Sequence, residues 1–154
     1  MDSNAVSLSD SDGKFRFISY IFTRCPMPNM CPALMVKYRY LAAAFSDRAN
    51  LEFVTISFDY LYDNPYTLRK HYGRLTEPFS NWQVWSSFGH SQDMISLAHY
   101  SQFAFWGVDE NDIGHTLRSV LIDPERRFLK AFDGTDWQPE AAERDIINIL
   151  RAYN

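Results

Sequence analysis

A three-layer α/β sandwich is the fold class that the sequence predicts, on three observations. The first part of the chain has the order strand, helix, strand, in a length that implies a right-handed crossover between parallel strands. The last part has two β-rich runs followed by a helix, and a less regular insertion separates the two parts. The order βαβ, insertion, ββα is that of a thioredoxin-like fold.

The first strand is predicted over residues 14–22, where an alternating start gives way to the continuous apolar run of a strand that is buried on both faces. Prolines then exclude regular structure until Pro32, which suits the first turn of a helix. Residues 51–58 form the second strand. The helix between the two strands is marked by an apolar stripe at spacings of four, three and four, namely Leu34, Tyr38, Leu41 and Phe45.

The insertion is predicted to contain two helices and a short strand. Pro65 begins a helix that runs through His71, and residues 82–85 form the strand. The second helix covers about residues 92–103 and has Ser91 as its N-cap.

A hairpin and a helix complete the predicted fold. The β-rich runs 116–123 and 127–133 flank Pro124-Glu125-Arg126, whose composition suits a turn. The last helix is predicted from Pro139 to Tyr153, and its buried side carries Ile146, Ile147 and Leu150.

Length and composition favour a single domain, residues 1–154, because single cores usually contain about 100 to 200 residues. A hydrophobic share of 46% with 22% charged residues excludes a disordered chain.

The net charge of -4 leaves no cationic surplus for phosphates, so we expect no nucleic-acid partner. No apolar run approaches the roughly 20 residues that cross a bilayer, so a membrane anchor is expected only outside this chain.

Both cysteines of the chain lie just after the first strand, and the predicted topology brings a histidine towards them. Sites in open sheets form at the carboxyl ends of parallel strands, and Cys25 follows the first strand by three residues. The strand from residue 116 is expected to run antiparallel to the first, so it starts at the same edge. We therefore expect His115 near Cys25 and Cys31, with Asp59 at that edge too.

Two thiolates and one imidazole are a soft set of three ligands. Such a set suits Cu(I), accommodates Cu(II) with an added weak ligand, and leaves zinc one protein ligand short of a closed site. We predict a copper site of Cys25, Cys31 and His115. The helix start at Pro32 and the cation of Arg24 are expected to favour thiolates, and the same features favour thiol–disulfide exchange.

Four stretches of the sequence, in order, resemble the Sco/SenC family of copper-binding proteins. One of them is similar to the copper-site loop of the family, and it consists of Tyr20-Ile21-Phe22-Thr23-Arg24-Cys25-Pro26 with Cys31-Pro32. The others are Val6-Ser7-Leu8-Ser9-Asp10 with Gly13-Lys14, then Ser57-Phe58-Asp59 with Asp63 and Pro65, then His115 with Leu121-Ile122-Asp123-Pro124 and Phe128. Two departures are Tyr60 in place of a usual proline, and five residues between the cysteines where the family usually has three.

The resemblance implies a thioredoxin-like protein that acts in copper delivery or thiol reduction during cytochrome c oxidase assembly. It implies a copper-accepting oxidase subunit or another thiol protein as partner. It also implies an extracytoplasmic location, periplasmic or membrane-anchored facing the periplasm. A copper chaperone is favoured over an enzyme.

Two alternatives remain open at this point. One is a thiol–disulfide oxidoreductase without a copper role, in which Cys25 attacks and Cys31 resolves. The other is a non-catalytic binding module with a structural disulfide between the same cysteines. Met27 and Met30 in the wider loop are predicted to be exposed contact residues rather than ligands.

Overall fold

Five strands form the central sheet in the computed structural model, which describes residues 4–153. The strands found there are β1 Phe15–Ile21, β2 Leu51–Ser57, β3 Trp82–Ser86, β4 Phe105–Trp106, β5 Gly114–His115, β6 Arg118–Ile122 and β7 Phe128–Asp133. The central sheet has the order β3-β2-β1-β6-β7, and β4 pairs with β5 as a separate small hairpin.

The direction of each strand decides which loops meet. Strands β1, β2 and β3 are parallel, whereas β6 runs antiparallel to β1 and β7 runs antiparallel to β6. The carboxyl ends of β1 and β2 therefore share an edge with the amino end of β6, as predicted. We call this the site edge, and the other end of the sheet the opposite edge.

Helices cover both faces of the sheet. They are α1 Cys31–Ala44, α2 Pro65–Thr76, α3 Ser91–Ser101, α4 Pro139–Ala152 and a 3-10 helix at Leu8–Ser11. On one face, the ring of Phe17 packs 5.3 Å from that of Tyr38 in α1. On the other face, the hydroxyl of Tyr20 lies 2.5 Å from that of Ser101 in α3. The predicted thioredoxin-like, three-layer architecture is confirmed.

The two central strands hold the core together. All seven residues of β1 and all seven of β2 are buried, as the continuous apolar runs predict. Phe17 and Phe53 from adjacent strands meet Tyr38 with ring centroids 5.3 to 6.0 Å apart. Buried aromatic side chains of this size remove about 150 to 250 Å² each from water, so this cluster anchors α1 on the sheet.

The ends of the helices differ from the sequence prediction, most clearly in α1, α2 and α3. Helix α1 begins at Cys31, one residue before Pro32, which keeps the proline in the first turn. Helix α2 continues past His71 to Thr76, because Leu68, Tyr72 and Thr76 form a buried stripe at four-residue spacing.

The start of α3 was also predicted wrongly. Ser91 is the first helical residue rather than the N-cap, which is His90, and no side-chain hydrogen bond caps this end. The turn before it is made by the backbone, since the amide of His90 donates to the carbonyl of Ser87 at 2.8 Å. The helix ends at Ser101 because Gln102 adopts a left-handed conformation with φ of 55°.

None of the helices within residues 4–153 has the length and apolar character that crossing a bilayer requires.

Candidate metal centre

The loop between β1 and α1 carries both cysteines in the free thiol form. Cys25 is partly exposed, whereas Cys31, the first residue of α1, is fully buried. The amide of Cys25 donates to the carbonyl of Phe22 at 3.4 Å, and its Sγ donates to the carbonyl of Met27 at 3.8 Å. The loop therefore turns back on itself and leaves one thiol accessible and the other inside.

The thiol of Cys31 is protonated rather than ionised. Burial raises its pKa to about 12, and the adjacent Cys25 thiol adds to this increase through its charge and a hydrogen bond. Backbone hydrogen bonds at Phe22 and Cys31 oppose the rise but do not cancel it. The prediction that the helix start and Arg24 favour a thiolate is therefore wrong for Cys31, because burial is the largest influence on the pKa of this thiol.

His115 stands at the end of the small β4–β5 hairpin, against an aromatic wall. Its ring centroid lies 5.0 Å from that of Phe58, 5.5 Å from that of Phe22 and 6.1 Å from that of Phe103. Phe105 is its cross-strand partner in the hairpin. These aromatic residues come from three separate segments, and they fix the imidazole beside the start of the cysteine loop.

The hydrogen bonds of His115 define which nitrogen is free. Its Nδ1 lies 2.6 Å from the carbonyl oxygen of Thr116, so Nδ1 carries the proton and donates it. Its Nε2 is buried and has no hydrogen-bond partner within the described residues. Burial lowers the pKa of the imidazole, against the bond to Thr116, so the ring is neutral. The lone pair of Nε2 is thus buried, and no described residue donates a hydrogen bond to it.

The predicted site residues are brought to one edge, but they do not form a closed cluster. Cys25 and Cys31 are in contact, and His115 packs on Phe22, three residues before Cys25. No group of three or more His, Cys, Asp or Glu side chains within residues 4–153 is close enough to hold a metal ion. The three-ligand set of Cys25, Cys31 and His115 accordingly stays a prediction.

Two buried carboxylates order the cysteine loop. Asp63 accepts hydrogen bonds from the amide of Thr23 at 2.8 Å and from the hydroxyl of Ser57 at 2.6 Å, and the Thr23 hydroxyl also donates to it. Asp59 accepts from Nε of Arg24 at 2.9 Å. Their oxygens are therefore occupied within the loop, which agrees with the poor match between hard carboxylates and Cu(I).

Sequence reasoning missed the aromatic wall and Tyr72. Burial raises the pKa of the Tyr72 hydroxyl, and the charges of Cys31, Asp63 and Cys25 raise it further, so this residue of α2 belongs to the electrostatic surroundings of the thiols. In the sequence, the run Phe103-Ala104-Phe105-Trp106 was the one feature that pointed to the aromatic wall around His115. Its first residue, Phe103, was taken as the end of a helix predicted over about residues 92–103, and no element was predicted for the other three, although the alternation is typical of a strand.

The family and the fold are established by comparison with known proteins. The sequence matches the family model described as SCO1/SenC over residues 1–151. Comparison with curated proteins gave no significant match.

Three solved structures illustrate the likeness. A SCO1/SenC family lipoprotein from Bacillus anthracis has a TM-score of 0.77 and 22% identity, covering 92% of this chain and 84% of its own. BsSco, described as a cytochrome c oxidase assembly protein with a disulfide switch, has a TM-score of 0.78 and 22% identity, covering 98% and 86%. Copper-bound ScoI of Arabidopsis thaliana has a TM-score of 0.75 and 18% identity, covering 94% and 89%. Since the family match spans nearly the whole sequence, this chain belongs to the SCO1/SenC family.

Proposed function

We propose that this protein binds copper through Cys25, Cys31 and His115 and delivers it during assembly of cytochrome c oxidase. The observation that carries the proposal is the buried Nε2 of His115, which lacks any hydrogen-bond partner in the described residues. A buried polar atom without a partner costs about 1–3 kcal/mol, so its retention calls for a function. A metal ion held by the adjoining thiols would supply the missing partner.

The donor chemistry fits a soft ion. Cu(I) prefers thiolates, and a neutral imidazole nitrogen adds the third donor that Cu(II) requires more strongly. His115 already has the neutral form that binds metal, whereas the buried Cys31 thiol must release a proton. Cys25 is the thiol that solvent reaches first, so it would make the first contact with an incoming ion and Cys31 the second.

The relatives support copper as the cargo and the oxidase as its destination. ScoI of Arabidopsis thaliana is described as copper-bound, and BsSco as a member of a family of cytochrome c oxidase assembly proteins. The partner would then be a copper-accepting oxidase subunit or another thiol protein. The lipoprotein from Bacillus anthracis supports an extracytoplasmic location, either periplasmic or membrane-anchored facing the periplasm.

A copper titration of the reduced protein tests this proposal, with Cys25→Ser as the matched control. We expect tight uptake of one Cu(I) per chain in competition with a chelator, and loss of that uptake in the variant. Weak or non-stoichiometric uptake by the unaltered protein would refute copper delivery.

Thiol reduction is the second candidate function, favoured by the contact between an accessible thiol and a buried one. The Cys25 thiolate would attack a disulfide of the partner and release one partner thiol. The Cys31 thiolate would then attack the mixed disulfide and release the second. The products are a Cys25–Cys31 disulfide and a reduced partner, so two electrons move from this protein to its partner.

The two candidates predict different behaviour on oxidation and exchange. Mild oxidation should remove two hydrogens from the chain without forming dimers, as measured by mass spectrometry. Fast disulfide exchange together with weak copper uptake would favour the reductase. A bridge that resists reduction and lacks exchange activity would instead favour a non-catalytic module with a structural disulfide.

A further inference from the structure

Arg24, the residue before Cys25, contacts two other segments of the site edge, one of which supplies both Asp59 and Tyr62. Its Nε and Nη2 donate to one carboxylate oxygen of the buried Asp59, at 2.9 and 2.8 Å. Its Nη1 donates to the side-chain oxygen of Asn111. Its guanidinium carbon lies 4.8 Å from the ring centroid of Tyr62. The planar group is therefore engaged along its edges and on one face.

The contact with Asn111 links the cysteine loop to the hairpin that carries His115. Asn111 lies in the loop of residues 107–113, which joins β4 to β5, and His115 is the last residue of β5. Among the described residues, no other side-chain hydrogen bond joins residues 23–31 to this hairpin. Arg24 therefore provides the polar link between them.

The hairpin loop is tight enough to transmit a displacement at Asn111. The amide of Asp112 donates to the carbonyl of Gly107 at 3.0 Å, closing the loop. A Cβ added at Gly107 would lie 1.8 Å from the carbonyl oxygen of Asp112, which shows how closely the two strands approach. Asn111 itself has a φ of 56°, a left-handed conformation that asparagine adopts more readily than most residues.

We propose that Arg24 is a positioning residue that sets the separation between the cysteine thiols and the imidazole of His115. The proposal deepens the copper function proposed above and rests on it. Arginine suits this role because its rigid fork satisfies Asp59 and Asn111 at once, whereas the single ammonium of lysine cannot span both acceptors in the same geometry. The buried carboxylate of Asp59 holds the guanidinium from behind and leaves Nη1 directed at the hairpin.

The sharpest variant removes only the hairpin contact. Asn111→Gly deletes the amide and keeps the left-handed backbone without strain, and it leaves the pair of Arg24 and Asp59 intact. Asn111→Asp restores an acceptor for the guanidinium and is the conservative rescue. Arg127→Lys, which changes an arginine that pairs with the buried Asp123 at the opposite edge, is the matched control.

The experiment has two readings: the NMR spectrum of the copper-free protein and the copper affinity. In the reduced, copper-free protein, the imidazole signals of His115 in ¹H–¹⁵N spectra should shift in Asn111→Gly and return in Asn111→Asp. With copper, Asn111→Gly should weaken Cu(II) binding by about tenfold, as loss of a residue that orients a ligand typically does, while Cu(I) affinity changes by less than about threefold. Arg127→Lys should leave both readings unchanged.

The outcomes separate this proposal from the function on which it rests. Unchanged His115 signals and unchanged Cu(II) affinity in Asn111→Gly would overturn the positioning role, even if the unaltered protein binds copper. Failure of Asn111→Asp to restore the signals would overturn it as well. Absence of copper uptake by the unaltered protein would refute the function, while the copper-free spectra would still test the link between Arg24 and the hairpin.

Discussion

Each edge of the central sheet contains a buried aspartate beside an arginine, but the two pairs stabilise different things. At the opposite edge, Asp123 accepts hydrogen bonds from the amides of Glu125 and Arg127, at 2.9 and 2.7 Å, from Nε of Arg127 at 2.6 Å, and from the hydroxyl of Tyr153. These bonds tie the β6–β7 turn to the last helix. At the site edge, Asp59 instead holds Arg24 next to Cys25.

The protonation equilibria of the two aspartates differ accordingly. Burial tends to raise the pKa of Asp123, but hydrogen bonds from Tyr153 and Arg127 outweigh it and the pKa is lowered. Burial raises the pKa of Asp59, and the bond and charge of Arg24 do not fully compensate. The carboxylate of Asp123 is therefore well satisfied, whereas Asp59 is incompletely compensated and shares its edge with a protonated buried thiol and with His115, whose Nε2 has no hydrogen-bond partner within the described residues.

Buried atoms without a partner among the described residues occur at both edges, but at the opposite edge they are Nε of Arg16 and Oε2 of Glu52, whose side chains are already ion-paired, whereas at the site edge the atom is a neutral imidazole nitrogen. Groups that break the usual rule of buried hydrogen bonding concentrate at functional sites, and the rest of the fold compensates for them. Nε2 of His115, which has no partner among residues 4–153, is such a group, and it belongs to the edge where both thiols lie.

The largest expected effect is on stability at the opposite edge. Asp123→Ala would leave two backbone amides without their acceptor and remove the partner of Nε of Arg127, so we expect a loss of about 3 kcal/mol in the free energy of unfolding. Urea denaturation measures this loss, and Cu(I) affinity should not change. Asp145→Ala, which breaks the more exposed pair with Lys130, should cost less than about 1 kcal/mol. A comparable cost for both variants would remove the distinction between a satisfied edge and an ordinary surface pair.

The next effect is on Cu(II) at the site edge. His115→Ala should abolish the thiolate-to-Cu(II) absorption and lower Cu(II) affinity by at least about a hundredfold, or ~2.7 kcal/mol, while Cu(I) affinity falls by less than about tenfold. His115→Phe keeps a ring against Phe22 and Phe58 and separates the loss of the ligand from the loss of packing. An unchanged Cu(II) spectrum in either variant would exclude His115 as a ligand.

The sequence predicted the parts of the fold that repeat over several residues. The continuous apolar runs identified β1 and β2, and the stripe from Leu34 to Phe45 identified α1. The β4–β5 hairpin could not be predicted in this way, because strands of two residues are too short to show alternation. The sequence prediction ended helix α2 too early, at the exposed His71. The buried residues that continue the helix are Tyr72 and Thr76, and Gly73 lies between them.

At the candidate site, the sequence predicted the position of a residue but not a protonation state. The position of His115 at the cysteine edge followed from the antiparallel direction of β6, which sequence order implies. The protonation of Cys31 did not, because it depends on how deeply the folded chain buries the thiol. Short-range sequence showed a cation near a thiol, but the tertiary structure gives that cation another partner.

The methionines of the wide cysteine loop provide a smaller test of the site edge. Met27 is 47% exposed, and its carbonyl rather than its sulfur is the group that meets Cys25. We expect Met27→Leu with Met30→Leu to lower Cu(I) affinity by less than about tenfold, under ~1.4 kcal/mol, because the substitutions keep apolar bulk and remove only sulfur. A larger loss in a competition titration, with an unchanged circular dichroism spectrum, would make a thioether a ligand.

The smallest effect we predict is the acid dependence of stability, in which the two aspartates act with opposite sign. The pKa of Asp123 is lowered by folding, so its contribution is present above the ordinary value of 3.8 and is lost as the pH falls through the folded value. The pKa of Asp59 is raised, so its contribution is present below 3.8 and is lost as the pH rises through the folded value.

Removing each carboxylate should therefore change the pH profile in opposite directions. Urea denaturation between about pH 2 and pH 6 should show that Asp123→Asn flattens the loss of stability in acid, below 3.8, since its protonation no longer opposes folding. Asp59→Asn should steepen the gain of stability with rising pH above 3.8, since a buried carboxyl no longer has to ionise. Asp47→Asn, at an exposed position, controls for the loss of one charge. If both buried variants shifted the profile the same way, the two edges would not differ in how they hold a buried charge, and the site edge would lose its electrostatic distinction.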